Sequence, residues 1–209
     1  MAEIFHLGGW MMWPLSALSV LALAIICERA LFYGSLGFPS TEQDQKLNAA
    51  LTGRDAKAID DSLPVSHPVF GPYFSELKRV FRPGGPEQNQ EVLDIFAREI
   101  ADRLDRFLPL LGVIVRVAPL MGLLGTILGM INTFSRLSSA QGGVDLTMLA
   151  GGIWQALITT AVGLLIAIPV LLIQHWFLIR KKRVLDALYR VTHASFVLGD
   201  ESREPSHAA

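Results

Sequence analysis

Cysteine and charge are both scarce in this sequence. The one cysteine among 209 residues is Cys27, and it falls inside a long apolar run, which excludes a disulfide framework and a thiolate metal site. Charged residues make up 18% of the chain, against about a quarter in a typical soluble domain. No basic stripe with interleaved aromatic residues is present, so nucleic acid is not an expected partner.

Catalytic signatures are also absent from the sequence. It contains no G-x-S-x-G, no H-E-x-x-H and no pair of aspartates inside an apolar run, which are patterns that carry hydrolytic chemistry. We therefore expect no catalytic residue, no metal and no cofactor, and an enzyme is the least expected class.

Three long uncharged runs dominate what is present. They cover residues 7–27, 117–135 and 146–174, or about 21, 19 and 29 residues, and roughly 18–20 residues are enough to cross a bilayer core of ~30 Å. The mean hydropathy of the chain is +0.41. The sequence predicts an all-α membrane protein with three transmembrane helices.

The lysine and arginine residues predict the orientation of these helices. Residues 1–27 contain none, and Arg136 alone stands between the second and third runs, whereas the segment between the first and second runs and the segment after the third are basic. Basic loops stay on the cytoplasmic side. We expect the N-terminus and the short loop outside, and the central segment and C-terminus inside. The predicted segments are 1–34 (N-terminus and first span), 35–105 (cytoplasmic helical region), 106–137 (second span), 138–145 (outer loop), 146–179 (third span) and 180–209 (cytoplasmic extension and tail).

Within these segments, hydrophobic periodicity and turn residues predict the helices. Apolar residues recur every three or four positions from Val92 to Leu111 with no turn signal before the second span, which predicts one long helix kinked by its prolines. The third span overruns the bilayer. The expected elements are a first helix at 10–33, short helices at 41–51 and 55–62, a helix start at 66–68 that leads to the apolar positions Phe70, Phe74, Leu77 and Phe81, a break at 83–86, one helix over 87–137 with kinks at Pro109 and Pro119, and a disordered tail at 199–209.

Small residues form a stripe on each of the last two spans. Lipid offers no hydrophobic force that pulls helices together, so close packing through small side chains performs that role. We expect helix packing from Gly122, Gly125 and Gly129 on the second span and from Gly152, Ala156, Gly163 and Ala167 on the third.

Four polar residues lie among these small ones and are candidates for an ion pathway: Thr126, Thr159, Thr160 and Gln155. Polar groups inside a membrane bundle are costly and often functional. Backbone bonding of the threonines and an interhelical bond from Gln155 are the plain structural alternatives.

Neither of the last two runs contains an acid, a base or a histidine. A threonine hydroxyl does not store a proton near neutral pH, so a titratable carboxylate has to come from elsewhere. Glu28 is a weak candidate because Arg29 stands beside it near the end of the first span, where the pair is interpreted as an interfacial anchor. The sequence therefore predicts a partner that supplies the acid.

Basic residues mark the inner membrane surface. Arg116 directly precedes the second run and is expected at the headgroup level, because burial at the bilayer centre would be costly. The cluster Arg180, Lys181, Lys182 and Arg183 follows the third run and is expected to contact anionic lipid.

Two segments carry a resemblance to a known family. The segment 118–134 (APLMGLLGTILGMINTF) and the segment 152–169 (GIWQALITTAVGLLIAIP) resemble the second-span and third-span signatures of the MotA/TolQ/ExbB proton-channel family, and the ExbB branch most of all. The order of the motifs and the topology agree over nearly the whole chain. Thr126 and Thr160 match the family's pore threonines, whereas Gln155 stands where enterobacterial members carry a glutamate.

This resemblance implies a homopentameric ring in the bacterial inner membrane around an ExbD-like dimer whose single-span helices each carry an aspartate. Proton flow would drive rotation, and a TonB-like protein would pass the work to outer-membrane transporters. TolQ-type and flagellar-stator-type subunits are close alternatives. A partner-independent solute transporter and a non-conducting scaffold are alternatives of another class, and sodium remains open beside protons because Thr159 adds a hydroxyl.

Overall fold

The computed structural model describes residues 9–36, 69–80, 90–139 and 146–201, with the single positions 45 and 49. The described part is helical and contains no strand. Its five helices are α1 (Met12–Leu36), α2 (Gly71–Val80), α3 (Gln90–Asp105), α4 (Leu108–Ser139) and α5 (Leu146–Glu201).

In the part of the chain that the structure describes, three helical segments are long and apolar enough to cross a membrane, which agrees with the predicted number of spans. They are Met12–Leu36, which is α1, Leu93–Ser139, which includes α4, and Leu146–His193, which is most of α5. α5 has 56 residues, which correspond to about 84 Å at 1.5 Å per residue. The third helix therefore overruns a bilayer core of ~30 Å, as the sequence predicts.

The prediction of one continuous helix over 87–137 is wrong. The chain leaves the helix at Arg106 and Phe107, and α4 begins at Leu108. Pro109 then lies in the first turn of α4, where its missing N–H costs no hydrogen bond. In a continuous helix the same proline would clash with the preceding turn. Pro119, in contrast, remains inside α4.

Several other expected elements lie outside the described residues. These are the short helices at 41–51 and 55–62, the helix start at 66–68, the break at 83–86, the outer loop from residue 140 to 145 and the tail beyond residue 201. Residues 199–201, which were expected to be disordered, belong to α5.

The chain divides into two compact units. The first comprises Met1–Leu31 and Phe107–Phe177. In its core Leu15 of α1 is buried with Ala118 of α4 and Ala167 of α5. Large apolar side chains such as Leu120 and Leu165 are 62% and 72% exposed, which a soluble surface rarely tolerates as a continuous patch but a lipid-facing surface requires.

The second unit comprises Phe32–Arg106 and Leu178–Ala209. Phe70, Phe74 and Leu77 are buried, which confirms the predicted apolar face of α2. Tyr33 donates a hydrogen bond to the Leu104 carbonyl at 3.1 Å. Residues of α3 and α5 complete this core: Leu93, Ile100, Leu104, Val184, Ala187, Leu188 and Val191.

Candidate functional site

The helices α4 and α5 pack antiparallel along their small residues. From Ala118 to Thr133 along α4, the neighbouring residue on α5 moves back from Gly163 to Gly152, as antiparallel packing requires. The successive contacts are Ala118 with Gly163, Gly122 with Thr160, Gly125 with Thr159, Gly129 with Ala156, and Thr133 with Gly152.

These contacts bring the two backbones together. A Cβ atom added to Gly163 would lie 2.7 Å from the Ala118 carbonyl oxygen, and one added to Gly122 would lie 3.0 Å from the Thr160 Cα. At Gly129 the distance from an added Cβ to the Ala156 Cβ would be 3.2 Å. Only small residues allow such an approach, and it provides the van der Waals contact that holds membrane helices together.

Thr159 and Thr160 lie in this interface but differ in what they bind. Thr159 is 1% exposed and packs on Gly125, and its hydroxyl donates to the Gln155 carbonyl at 3.1 Å. Thr160 is half-buried, and its hydroxyl donates across the interface to the Gly122 carbonyl at 3.0 Å. Both hydroxyl hydrogens are therefore used within the subunit.

Thr126 lies beside the interface rather than in it. It is half-buried and lines an open groove with a volume of about 540 Å³, together with Ile127, Met130, Ile131 and Phe134. Its hydroxyl donates to the Leu123 carbonyl at 2.7 Å. Two acceptor lone pairs remain on that oxygen, so the groove has one polar feature on an apolar wall.

Gln155 faces the beginning of α1. A Cβ added to Gly9 would lie 3.0 Å from the Gln155 Nε2, and Gly9 has a positive φ of 70°. Its carbonyl accepts a bond from the Met12 N–H at 3.1 Å. Gln155 thus packs against the turn that starts the first span, whereas Thr126 lines the groove on α4.

The basic residues lie in different environments. Arg116 is exposed, and its Nε donates to the Gly112 carbonyl of the same helix at 2.9 Å. Lys181 forms an ion pair with Asp105 at 2.5 Å, so one member of the expected lipid-binding cluster contacts a carboxylate of the protein itself. Lys182 and Arg183 are exposed, and Arg180 is half-buried.

Arg29 is buried, which contradicts its interpretation as an interfacial anchor. It is 2% exposed, its Nε and Nη2 donate to the Glu28 carboxylate at 2.5 and 2.6 Å, and its guanidinium lies 5.8 Å from the centre of the Phe107 ring. A guanidinium taken out of water requires such partners. The sequence shows a charge pair but not the distant aromatic ring that completes it.

Two further polar residues were not predicted as candidates for the ion pathway. Thr133 is buried, donates to the Gly129 carbonyl at 2.8 Å and packs on Gly152. Gln174 donates to the Leu108 carbonyl at 3.1 Å. The sequence contains a signal for Thr133, because it follows Gly129 at the same spacing as the other small residues of α4. Nothing in the sequence distinguishes Gln174 from a residue at the membrane interface.

The described residues contain no cluster of three or more histidine, cysteine, aspartate or glutamate side chains able to hold a metal ion. Every buried side-chain nitrogen or oxygen in that part of the chain has a hydrogen-bond partner. The arrangement of α4 and α5 is thus saturated internally, and what it offers to a ligand is hydroxyl lone pairs beside an apolar groove.

Comparison with known proteins places this arrangement in a family. The sequence profile of the MotA/TolQ/ExbB proton channel family matches residues 68–189, which is more than half of the chain and includes all of α4. The ExbB-like biopolymer transport protein 1 of Synechocystis is 34% identical over 171 residues, covering 81% of this chain and 67% of that protein.

Relatives come from more than one branch. The biopolymer transport protein exbB1 of Vibrio cholerae is 30% identical, and the alignment covers 77% of this chain and 72% of that protein. The Tol-Pal system protein TolQ of Haemophilus influenzae is also 30% identical, over 74% of this chain and 72% of its own length. The chain is a multi-pass membrane protein that belongs to the MotA/TolQ/ExbB proton channel family.

Proposed function

We propose that this chain is the channel subunit of an ExbB–ExbD type motor in the inner membrane, which uses the proton motive force to energise TonB-dependent transport across the outer membrane. Five copies would surround two single-span helices, each carrying an aspartate. The N-terminus would be periplasmic and the C-terminus cytoplasmic, in line with the distribution of basic residues.

The observation that carries this proposal is the position of Thr126. It is the polar residue on the groove of α4, which α5 leaves open, and neither 117–135 nor 146–174 contains a titratable side chain. A pathway for protons needs a group that takes up and releases them. A second polypeptide that places a carboxyl group beside Thr126 would complete it.

The hydroxyl of Thr126 is suited to one protonation state of such a carboxyl group. Its hydrogen is directed to the Leu123 carbonyl, so toward the groove it acts as an acceptor. A protonated aspartic acid has an O–H to donate, whereas an ionised carboxylate has none. The groove would therefore favour the neutral acid, which is also the form that crosses an apolar environment at lower cost.

The driving force is adequate for mechanical work. One charge that moves through 100 mV releases about 2.3 kcal/mol, roughly four times the thermal energy. A few protons per cycle would move a rigid helix past the groove. Thr159 was the residue that made sodium an alternative coupling ion. Its hydroxyl is buried and bonded within its own helix, so it is not exposed to an ion, and this favours protons as the coupling ion.

A TolQ-type role in envelope maintenance is the second candidate, because a relative named TolQ matches with the same 30% identity as exbB1. Loss of siderophore-dependent growth after deletion of the gene would favour the TonB system. Sensitivity to detergent with normal siderophore use would favour the Tol system.

Substitution of Thr126 tests the pathway. Thr126→Val removes the acceptor at nearly constant volume, and we expect siderophore-dependent transport to fall on the order of a hundredfold, while Thr126→Ser retains it. Ser138→Ala is a matched control, since Ser138 makes the same kind of backbone bond on the same helix outside the groove. Full activity of Thr126→Val would refute the role of Thr126.

Thr160→Val should behave differently from Thr126→Val. It breaks the bond to the Gly122 carbonyl, and interhelical bonds of this kind contribute about 0.6–2 kcal/mol. We expect the valine at 160 to lower the free energy of unfolding, measured by denaturant titration in detergent, and the valine at 126 to leave it unchanged. Equal losses for the two variants would contradict this assignment.

Reconstitution separates the motor from the two alternatives of another class. We expect the purified chain in liposomes to pass no protons until an aspartate-bearing single-span partner is added. A rapid pH-driven flux from the chain alone would support a partner-independent transporter. A scaffold, in turn, would carry no flux even with the partner.

A further inference from the structure

The start of α4 has an unusual backbone. Among the described residues, Phe107 is the one non-glycine residue with a positive φ, at 66°. A bulky side chain disfavours this left-handed conformation, so surrounding contacts must hold it. The Phe107 carbonyl accepts the first bond of the helix from the Leu111 N–H at 3.2 Å, and α4 therefore begins from this residue.

One contact to this turn comes from α1. The guanidinium of Arg29 lies 5.8 Å from the centre of the Phe107 ring, within the range of a cation–π interaction. Glu28 binds the same guanidinium through both carboxylate oxygens, which fixes its plane. Arg29 is almost fully buried. Loss of the contact with the ring would therefore leave a buried charge with one partner fewer and no water to replace it, which is unfavourable.

A second contact comes from α5. The side-chain amide of Gln174 donates to the Leu108 carbonyl at 3.1 Å, one residue beyond Phe107. It also fills the space beside Gly112, where an added Cβ would lie 2.8 Å from the Gln174 Nε2. The first turn of α4 is thus bound from two helices.

The small residues of α4 do not by themselves determine which side of this helix meets α5. They form two overlapping rows: Gly122, Gly125, Gly129 and Thr133 form the observed contact, whereas Gly122, Thr126, Gly129 and Thr133 are spaced equally well in the sequence. Because the rows share three of their four residues and adjacent residues are about 100° apart, the mean directions of the two rows differ by a rotation of roughly 25°. Something besides the glycines has to select the first row.

We propose that Arg29 and Gln174 are positioning residues that select this rotation. By binding Phe107 and Leu108, they set the direction in which α4 starts and so keep Thr126 on the groove instead of in the contact with α5. The consequence for transport depends on the proposed function of Thr126, whereas the effect on helix rotation does not.

Disulfide crosslinking within one subunit measures the rotation. In a Cys27→Ser background, Gly125→Cys with Thr159→Cys reports the observed row, because a Cβ added to Gly125 lies 3.1 Å from the Thr159 Cβ, close to the roughly 3.5–4.5 Å that a disulfide needs. Thr126→Cys with Thr159→Cys reports the alternative, since Thr126 takes the place of Gly125 in the second row and lines the groove when the first row is in contact. Crosslinks within a subunit keep the mass of a monomer on a denaturing gel.

We expect Arg29→Met combined with Gln174→Met to lower the ratio of the Gly125 crosslink to the Thr126 crosslink on the order of tenfold, from the loss of a buried cation–π contact and a hydrogen bond. Arg29→Lys should retain more of the ratio than Arg29→Met, because it keeps the charge over the ring. Arg116→Met is the matched control, since Arg116 is exposed and bonds within its own helix, and it should leave the ratio unchanged.

An unchanged ratio in the double variant would overturn the proposal, since the glycine row would then set the rotation alone. Parallel loss of both crosslinks would also overturn it, because that result means general destabilisation. If Thr126→Val proved fully active while the ratio still shifted, the proposed function would fail and the positioning role of Arg29 and Gln174 would stand.

Discussion

The substitution Gly163→Ala tests the close packing of α4 and α5 at its tightest backbone contact. The new methyl group would lie 2.7 Å from the Ala118 carbonyl oxygen and 3.2 Å from the Gly122 Cα. Both neighbours are backbone atoms, so no rotamer change relieves the overlap. The helices have to separate by roughly half an ångström to restore normal contact distances.

The expected cost follows from two opposing terms. Overpacking a tight interface costs about 1–3 kcal/mol, and separation of the helices also stretches the Thr160 bond to the Gly122 carbonyl. Alanine is the better helix former by up to about 1 kcal/mol. We expect a net loss of about 1–2 kcal/mol in the free energy of unfolding, measured by denaturant titration of the detergent-solubilised protein.

Gly151→Ala provides the matched control on the same helix. No atom lies within 4 Å of a Cβ added there, so only the gain in helix propensity remains, and this variant should be as stable as the parent or slightly more so. Equal stability of the Gly151 and Gly163 variants would refute the backbone contact. Loss of stability in both would mean that another property of these glycines is responsible.

Three further predictions concern the second unit. Tyr73 and Thr192 share a hydrogen bond, so Tyr73→Phe should lower the free energy of unfolding, measured by thermal denaturation, by about 1 kcal/mol. Tyr189 is 64% exposed, and Tyr189→Phe should cause no measurable loss. Burial raises the pKa of Tyr73 above its ordinary value of 10.0. Above that pH the tyrosine of the unfolded chain loses its proton before that of the folded protein, so the free energy of unfolding should fall as the pH rises. This fall should be smaller in Tyr73→Phe. The Lys181–Asp105 ion pair is partly exposed, so Lys181→Met should lower the free energy of unfolding by well under about 1 kcal/mol. Any loss should vanish in high salt. A loss that salt leaves unchanged would mean that the aliphatic part of Lys181 stabilises the protein by packing and not by the ion pair.

Run length and composition were sufficient to predict the membrane class. Uncharged stretches of about 20 residues have one stable solution in a bilayer, since every backbone group must bond within its own helix. The three spans, the long overrun of α5 and the buried face of Phe70, Phe74 and Leu77 were therefore predictable. These features depend on local sequence alone.

The interruption before α4 was not predictable from periodicity, because the apolar positions continue through it. Phe107 keeps the spacing of the face that includes Leu104 and Leu111, yet it is 38% exposed and has a positive φ. The ring contacts Arg29, which lies far away in the sequence. A tertiary contact of this kind overrides the local pattern, and a single sequence carries no record of it.

Thr126 illustrates a further limit of sequence patterns. A helix repeats every 3.6 residues, so steps of three and of four residues both stay on one side of the helix. Small residues at such steps therefore do not determine which of two neighbouring faces makes the contact. Thr126 and Gly125 are equally compatible with such a row, but Gly125 contacts α5 and Thr126 lines the groove.

The separation of these two roles bears on how such a helix pair could serve a moving partner. Gly122 and Gly163 lie at contacts in which the backbones nearly touch, so the helix pair is most tightly packed there. Thr126 lies to the side of these contacts, where an open groove of apolar side chains surrounds a hydroxyl already bonded to its own helix. A partner helix in that groove would meet no donor that holds an ionised carboxylate and no tight contact that has to break. In the proposed motor, close packing on one side of the pair and weak binding on the open side would together let a helix pass repeatedly without altering the wall it moves along.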